Sequence, residues 1–160
     1  MDANTRQTIV AELIGLLEKG YAHSSLEDAC ADIPAAALNQ RVPQVPYTIW
    51  ELTEHLRIAQ HDILEFCRDP HFVSPEWPAG YWPDAAQPAD EATFRATLAA
   101  IAHDRAAFIT LLHDPQHDLL APFPHGTGQN LLREAMLIAD HNSYHMGQLV
   151  LLRRLLGIWE

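Results

Sequence analysis

Lysine is almost missing from this chain. Its 160 residues include a single lysine, Lys19, and only ten Lys and Arg against 21 Asp and Glu, for a formal net charge of −11. A nucleic-acid binder needs a basic surface to displace counterions from phosphates, so that class is excluded. The same argument disfavours anionic membrane surfaces. Cysteine is scarce too. Cys30 and Cys67 are too few and too isolated for a disulfide framework or a thiolate zinc site, and are expected to be reduced and packed. No run of about 18 apolar residues occurs, so no membrane span is expected. The start, "MDANTRQTIVAELIGLLEKG", lacks the charged, then apolar, then small order of a signal peptide. The cytoplasm is therefore the expected compartment. Strand alternation of useful length, internal repeats and low-complexity tracts are absent as well.

Apolar residues are plentiful, at 48% of the chain, which argues against disorder. The length suits one domain, 1–160, with a real core. Ile9, Leu13, Leu16 and Leu17 recur at spacings of three and four, predicting a helix over 5–19 stopped by Gly20. "SSLEDACADI" predicts a short helix, with Ser24 and Glu27 as its capping box and Pro34 closing it. Thr48 with Glu51 forms a second capping box and starts a long helix that ends at Pro70. Asp90 caps the next, whose inward stripe is Phe94, Leu98, Ile101, Arg105, Phe108 and Leu112. A last helix runs from about Gln129 to Leu156 with Gly157 as stop. The segment 70–89 holds five prolines, which forbid helix, interleaved with Trp77, Tyr81 and Trp82. Such a loop is more often a lid or binding loop than a spacer. The expected fold is all-α: an antiparallel four-helix bundle with an extra short helix and long Pro/aromatic loops.

Ten histidines are the compositional oddity. On the last helix, Leu131, Ala135, Ile138, Asn142, Leu149 and Leu156 share a face, with His145 inside it and His141 on its edge. The two are one turn apart, about 6 Å along the axis, and point the same way. That spacing lets two imidazoles chelate one transition ion. Two partly exposed, hydrogen-bonded histidines would produce the same pattern. A third ligand decides between these readings, and His55, at the border of the apolar face of its helix, is the best candidate. Antiparallel packing would place it opposite the pair. Asp62 lies two turns further along that side and Glu51 one turn back. Asp62 is a candidate to bind metal or to hydrogen-bond a ligand water, or is simply solvated. Asn142 needs a partner across the bundle, and Gln148 is placed to line the same cavity. His61 is rotated away from His55. His103 is expected in solvent, and His71, His113, His117 and His125 on loops or helix ends. His23 lies near a bundle end. Trp50 falls opposite the core face of its helix, which suits an interface or packing under a loop.

Three stretches together resemble the DinB-like (DinB/YfiT) superfamily. "TIWELTEHLRIAQHDIL" is similar to its first ligand helix, with the histidine at His55. "ADHNSYHMGQLVLLRRLLG" is similar to its last-helix signature, with His141 and His145. "VSPEWPAGYWP" and "AHSSLEDACADIP" resemble one branch of it. The resemblance implies a four-helix bundle, often a homodimer, holding a divalent ion, usually zinc or nickel, on three histidines. It also implies kinship with transferases that use low-molecular-weight thiols.

Three imidazoles leave at least one coordination position open, as in catalytic rather than structural sites. The leading expectation is a metal-dependent enzyme that activates a thiol for transfer to a small-molecule electrophile, in a pocket roofed by Tyr81 and Trp82. Tyr81 and Asp62 are its catalytic candidates. Hydrolysis by activated water is the runner-up, and a non-catalytic metal- or ligand-binding stress or sensor module is the alternative. A carboxylate-bearing thiol would want cations, for which Arg57, Arg95 and Arg105 are candidates, though each also suits a structural or solvated role.

Overall fold

The computed structural model describes residues 1–159. Its helices are α1 (Ala3–Lys19), α2 (Leu26–Cys30), α3 (Ile49–Arg68), α4 (Glu91–His113) and α5 (Leu131–Leu155), with 3₁₀ turns at Ala35–Ala37 and Ala79–Tyr81. No strand occurs among the described residues. The helix ends follow from local chemistry. Asp2, Asp90 and Asn130 accept from backbone N–H groups of the first turns of α1, α4 and α5. Gly20 ends α1 at φ 63°, a left-handed conformation that glycine adopts without a Cβ penalty. The Thr48–Glu51 capping box is present as expected. The expected Ser24–Glu27 box is not: Ser25 and Asp28 form it, one residue later. Both frames offer a hydroxyl followed three residues on by a carboxylate. The later frame keeps Leu26, Ala29 and Cys30 buried, and burial decides.

The four long helices pack as a bundle around α3, which meets α4 on one flank and α5 on the other. α3 and α5 run antiparallel, since His55 meets His141 and Gln60 meets Asn142 while the Asp62–Phe66 end meets Arg133–Leu137. α3 and α4 run in the same direction: Glu54 pairs with Thr97, Gln60 with Ile101 and His61 with Asp104, rising together. Parallel neighbours require a crossover connection. The proline- and aromatic-rich segment 69–90 is that crossover, returning the chain over a helix of about 30 Å. Its length and its course past His55 have this one cause.

The core falls into two apolar clusters. One gathers Leu52, Leu56, Phe94, Ile101 and Leu149; the other gathers Leu13, Leu64, Phe108, Leu131 and Ile138. Between them lies a polar layer. Gln60, 2% exposed, donates to the Ile101 carbonyl at 2.7 Å and accepts from Asn142 at 3.2 Å, which supplies the cross-bundle partner Asn142 needed. Trp50 is buried, not an exposed interface residue: it lines a cleft of about 650 Å³ beneath Pro83–Pro88 of the crossover. A helical wheel sees only the helix and cannot show a loop that covers its outer face. Cys30 and Cys67 are free and buried.

Candidate metal centre

Each of the three histidines is placed by a helix rather than a loop. His55 stands seven residues after the Thr48 cap, by which point α3 is regular. His141 and His145 project from one side of α5, a turn apart. The antiparallel pairing of α3 with α5 brings all three together at the polar layer. His55 Nε2 and His141 Nε2 are 3.1 Å apart, and one ring nitrogen from each histidine lies within 4.8 Å of the others. His55 and His145 are buried and His141 half-buried.

The remaining ring nitrogens fix which atoms face inward. His55 Nδ1 donates to the Tyr81 carbonyl at 2.8 Å, and a carbonyl can only accept. His145 Nδ1 donates to Gln148 Oε1 at 2.6 Å. Both rings in neutral form therefore carry their proton outward and present an Nε2 lone pair to the shared centre. The His55 Nε2 lone pair faces His141 Nε2 at 3.1 Å, a contact that is repulsive unless something sits between the two or His141 Nε2 is protonated. In the metal-free protein, His141 Nε2–H donating to His55 Nε2 satisfies the contact. Zinc bound by imidazole at about 2.0–2.1 Å in a tetrahedron sets its nitrogens about 3.4 Å apart. The His55–His141 separation of 3.1 Å is close to that value, the full set within 4.8 Å would draw slightly inward around an ion, and the outward hydrogen bonds are the outer-shell partners that metal-bound histidines usually have.

Electrostatics favours the same state. Burial pushes the His55 and His145 pKa values down, opposed by their hydrogen bonds to Tyr81 and Gln148. Burial, and then the proximity of His145 and His55, lowers His141 to about 4. The rings stay neutral at physiological pH, as metal ligation requires.

The crossover roofs the site. Trp82 lies face to face on His55, ring centroids 4.1 Å apart at 7°, and Tyr47 stacks on Trp82 at 5.9 Å. Beyond this roof is a cleft of about 360 Å³ lined by Arg41, Tyr47, Glu51, Trp82 and Pro83. Tyr144 packs edge-on to His145 at 4.9 Å while remaining exposed. Tyr81 reaches the site through its carbonyl. Its hydroxyl points down α3 and donates to Asp62 Oδ2 at 2.7 Å, so neither Tyr81 nor Asp62 offers its side chain to the histidines. Burial, then Asp62, raises the Tyr81 phenol to about 12. Glu51 is occupied by its capping box and by Arg41.

The candidate cations are engaged elsewhere. Arg57 pairs with Glu54, Arg95 with Glu91 and Arg105 with Glu27. His61 pairs with Asp104 at the α3–α4 seam, and His23 meets Ser143 on the far side of α5. His71, His103, His113 and His125 are exposed, and His117 is half-buried beside Asp114. Two contacts escaped the sequence reading. A backbone carbonyl such as that of Tyr81 has no residue-type signal. Tyr144 had one, its position directly before His145.

A family model described as the DinB superfamily matches residues 21–149, a span that contains all three histidines and the crossover. No curated protein and no solved structure gave a match.

Proposed function

The chain belongs to the DinB superfamily, and from that premise we propose a metal-dependent enzyme whose His55, His141 and His145 hold a divalent ion, zinc or nickel, that activates a thiol for transfer to a small electrophile. The observation that carries this reading is the convergence of three imidazole nitrogens within 4.8 Å, two with their Nδ1–H groups turned outward. A divalent ion there supplies Lewis acidity, bringing bound water to a pKa of about 7 and deprotonating a coordinated thiol. The protein's own share is positioning. The Tyr81 carbonyl and the Gln148 amide hold two rings in one tautomer. Trp82 covers the His55 face and keeps bulk water off that side. Tyr47 and Tyr144 border the site with aromatic surface that suits an apolar electrophile.

Hydrolysis is the second reading, and one observation favours it. Arg57, Arg95 and Arg105 each already pair with a carboxylate, so none is free to receive an anionic thiol.

Elemental analysis of protein purified without a histidine tag tests the site. We expect near-stoichiometric zinc or nickel in the parent and its loss from His55→Ala, His141→Ala and His145→Ala. Full metal in two of those variants removes the assignment. In the cobalt-substituted protein, a change in the visible spectrum on adding a small thiol marks an open coordination position. An unchanged spectrum supports the non-catalytic binding module instead.

A further inference from the structure

We propose that Asp62 and Tyr81 form a positioning pair that sets the tautomer and ring plane of His55. The metal assignment is needed only for the second of the two readouts below.

Asp62 follows His55 by seven residues on the same flank of α3, about 10.5 Å further along the axis. Tyr81 touches α3 at both points. Its hydroxyl donates to Asp62 Oδ2 at 2.7 Å, and its carbonyl accepts from His55 Nδ1 at 2.8 Å. One contact would leave the crossover free to pivot; two at this separation fix its position and orientation along the helix. The next residue, Trp82, then lies flat on the His55 ring. Before this point Phe72 packs edge-on to His61, but most of the crossover is open to solvent. Val73 is 84% and Trp77 72% exposed, and every residue from Glu76 to Gly80 is exposed. Placement of the one carbonyl that orients His55 therefore depends on the Tyr81 hydroxyl and its acceptor.

Asp62 itself supports this role. Its Oδ1 is buried and has no hydrogen-bond partner. An orphaned buried carboxylate oxygen costs stability, so some other requirement must account for a carboxylate there. It is not placed to be a general base, since one oxygen is held by Tyr81 and the other is sealed from solvent. Anchoring the phenol is the task left to it, and a charged acceptor does this more strongly than a neutral one.

Two readouts test the pair: the His55 tautomer, from long-range ¹H–¹⁵N correlation spectra of the metal-free protein, and the zinc dissociation constant. The parent should show His55 as a single tautomer protonated at Nδ1. The double variant Asp62→Leu/Tyr81→Phe, which leaves no unpaired polar group, should show averaging between tautomers and zinc binding about 10–100-fold weaker. Tyr81→Phe alone, the milder change, should move both readouts the same way. Asp62→Asn keeps an oxygen acceptor for the phenol, though a neutral and weaker one, and should fall between the parent and the double variant in both readouts. The proposal is overturned if the double variant matches the parent, or if Asp62→Asn falls as far as the double variant. A parent with one His55 tautomer but no zinc uptake removes the metal reading and leaves the positioning pair standing.

Discussion

A buried histidine is costly unless both ring nitrogens find partners, and here three share one solution. For His55 and His145, Nδ1 is satisfied outward and Nε2 faces a common centre. This arrangement links the site to pH. An unfolded histidine takes up its proton near pH 6.5. Folded His141 resists until about 4, and His55 and His145 are shifted the same way. Between those values the unfolded chain binds more protons than the folded one, so the metal-free protein loses stability as pH falls from about 6.5 towards 4. Urea midpoints measured across that interval should decline, and His141→Gln should flatten the decline. Equal slopes in parent and variant would mean that other groups govern the acid response. At this scale the sequence was legible where side chains carry the chemistry. The HxxxH spacing located His141 and His145, and the helical face located His55. The Tyr81 carbonyl was invisible because its contact depends on where a loop runs.

Helices were more legible than the connections between them. Apolar spacing and caps located all five, because each is set by residues within a few positions of one another. The Ser25–Asp28 box shows the limit, since two overlapping frames satisfied the same local rule and tertiary burial chose. The parallel course of α3 and α4 was not visible in either helix, and the long segment between them suggested a lid or binding loop rather than a crossover. Trp50 shows the same dependence: its helical position suited an interface or a covering loop equally, and that segment, by covering its outer face, decides for the loop. Caps, by contrast, act locally, and α3 offers a clean test. Thr48 is 3% exposed and accepts from the Glu51 N–H at 3.1 Å, while Glu51 accepts from the Thr48 N–H at 2.8 Å. Thr48→Ala should cost about 1 kcal/mol, a fall in Tm of about 2–4 °C for a chain of this size. The loss is confined to the first turn, before His55, so zinc affinity should stay at the parent's value. A cap variant that also weakens zinc binding would show that α3 moves as a unit rather than fraying.

On the scale of the molecule, a net charge of −11 sits on a chain whose Arg41, Arg57, Arg68, Arg95, Arg105 and Arg133 all pair with carboxylates. A surface with this excess of carboxylates has no net repulsion to offer a divalent cation. Among the described residues no helix is long and apolar enough to cross a membrane. The polar layer that holds the three histidines separates two apolar clusters that α3 and α5 both span. A ligand held jointly by those helices would therefore stabilise the whole bundle. An ion that binds only the folded chain adds about 2.7 kcal/mol at one hundred times its dissociation constant. At about 2–4 °C per kcal/mol, that is a rise in Tm of roughly 5–10 °C. Scanning calorimetry of the metal-free protein, with and without added zinc, should show this rise in the parent and not in His55→Ala, where α3 no longer contributes a ligand. An equal rise in both would place the ion on α5 alone or elsewhere on the acidic surface, and the joint site between the helices would be lost.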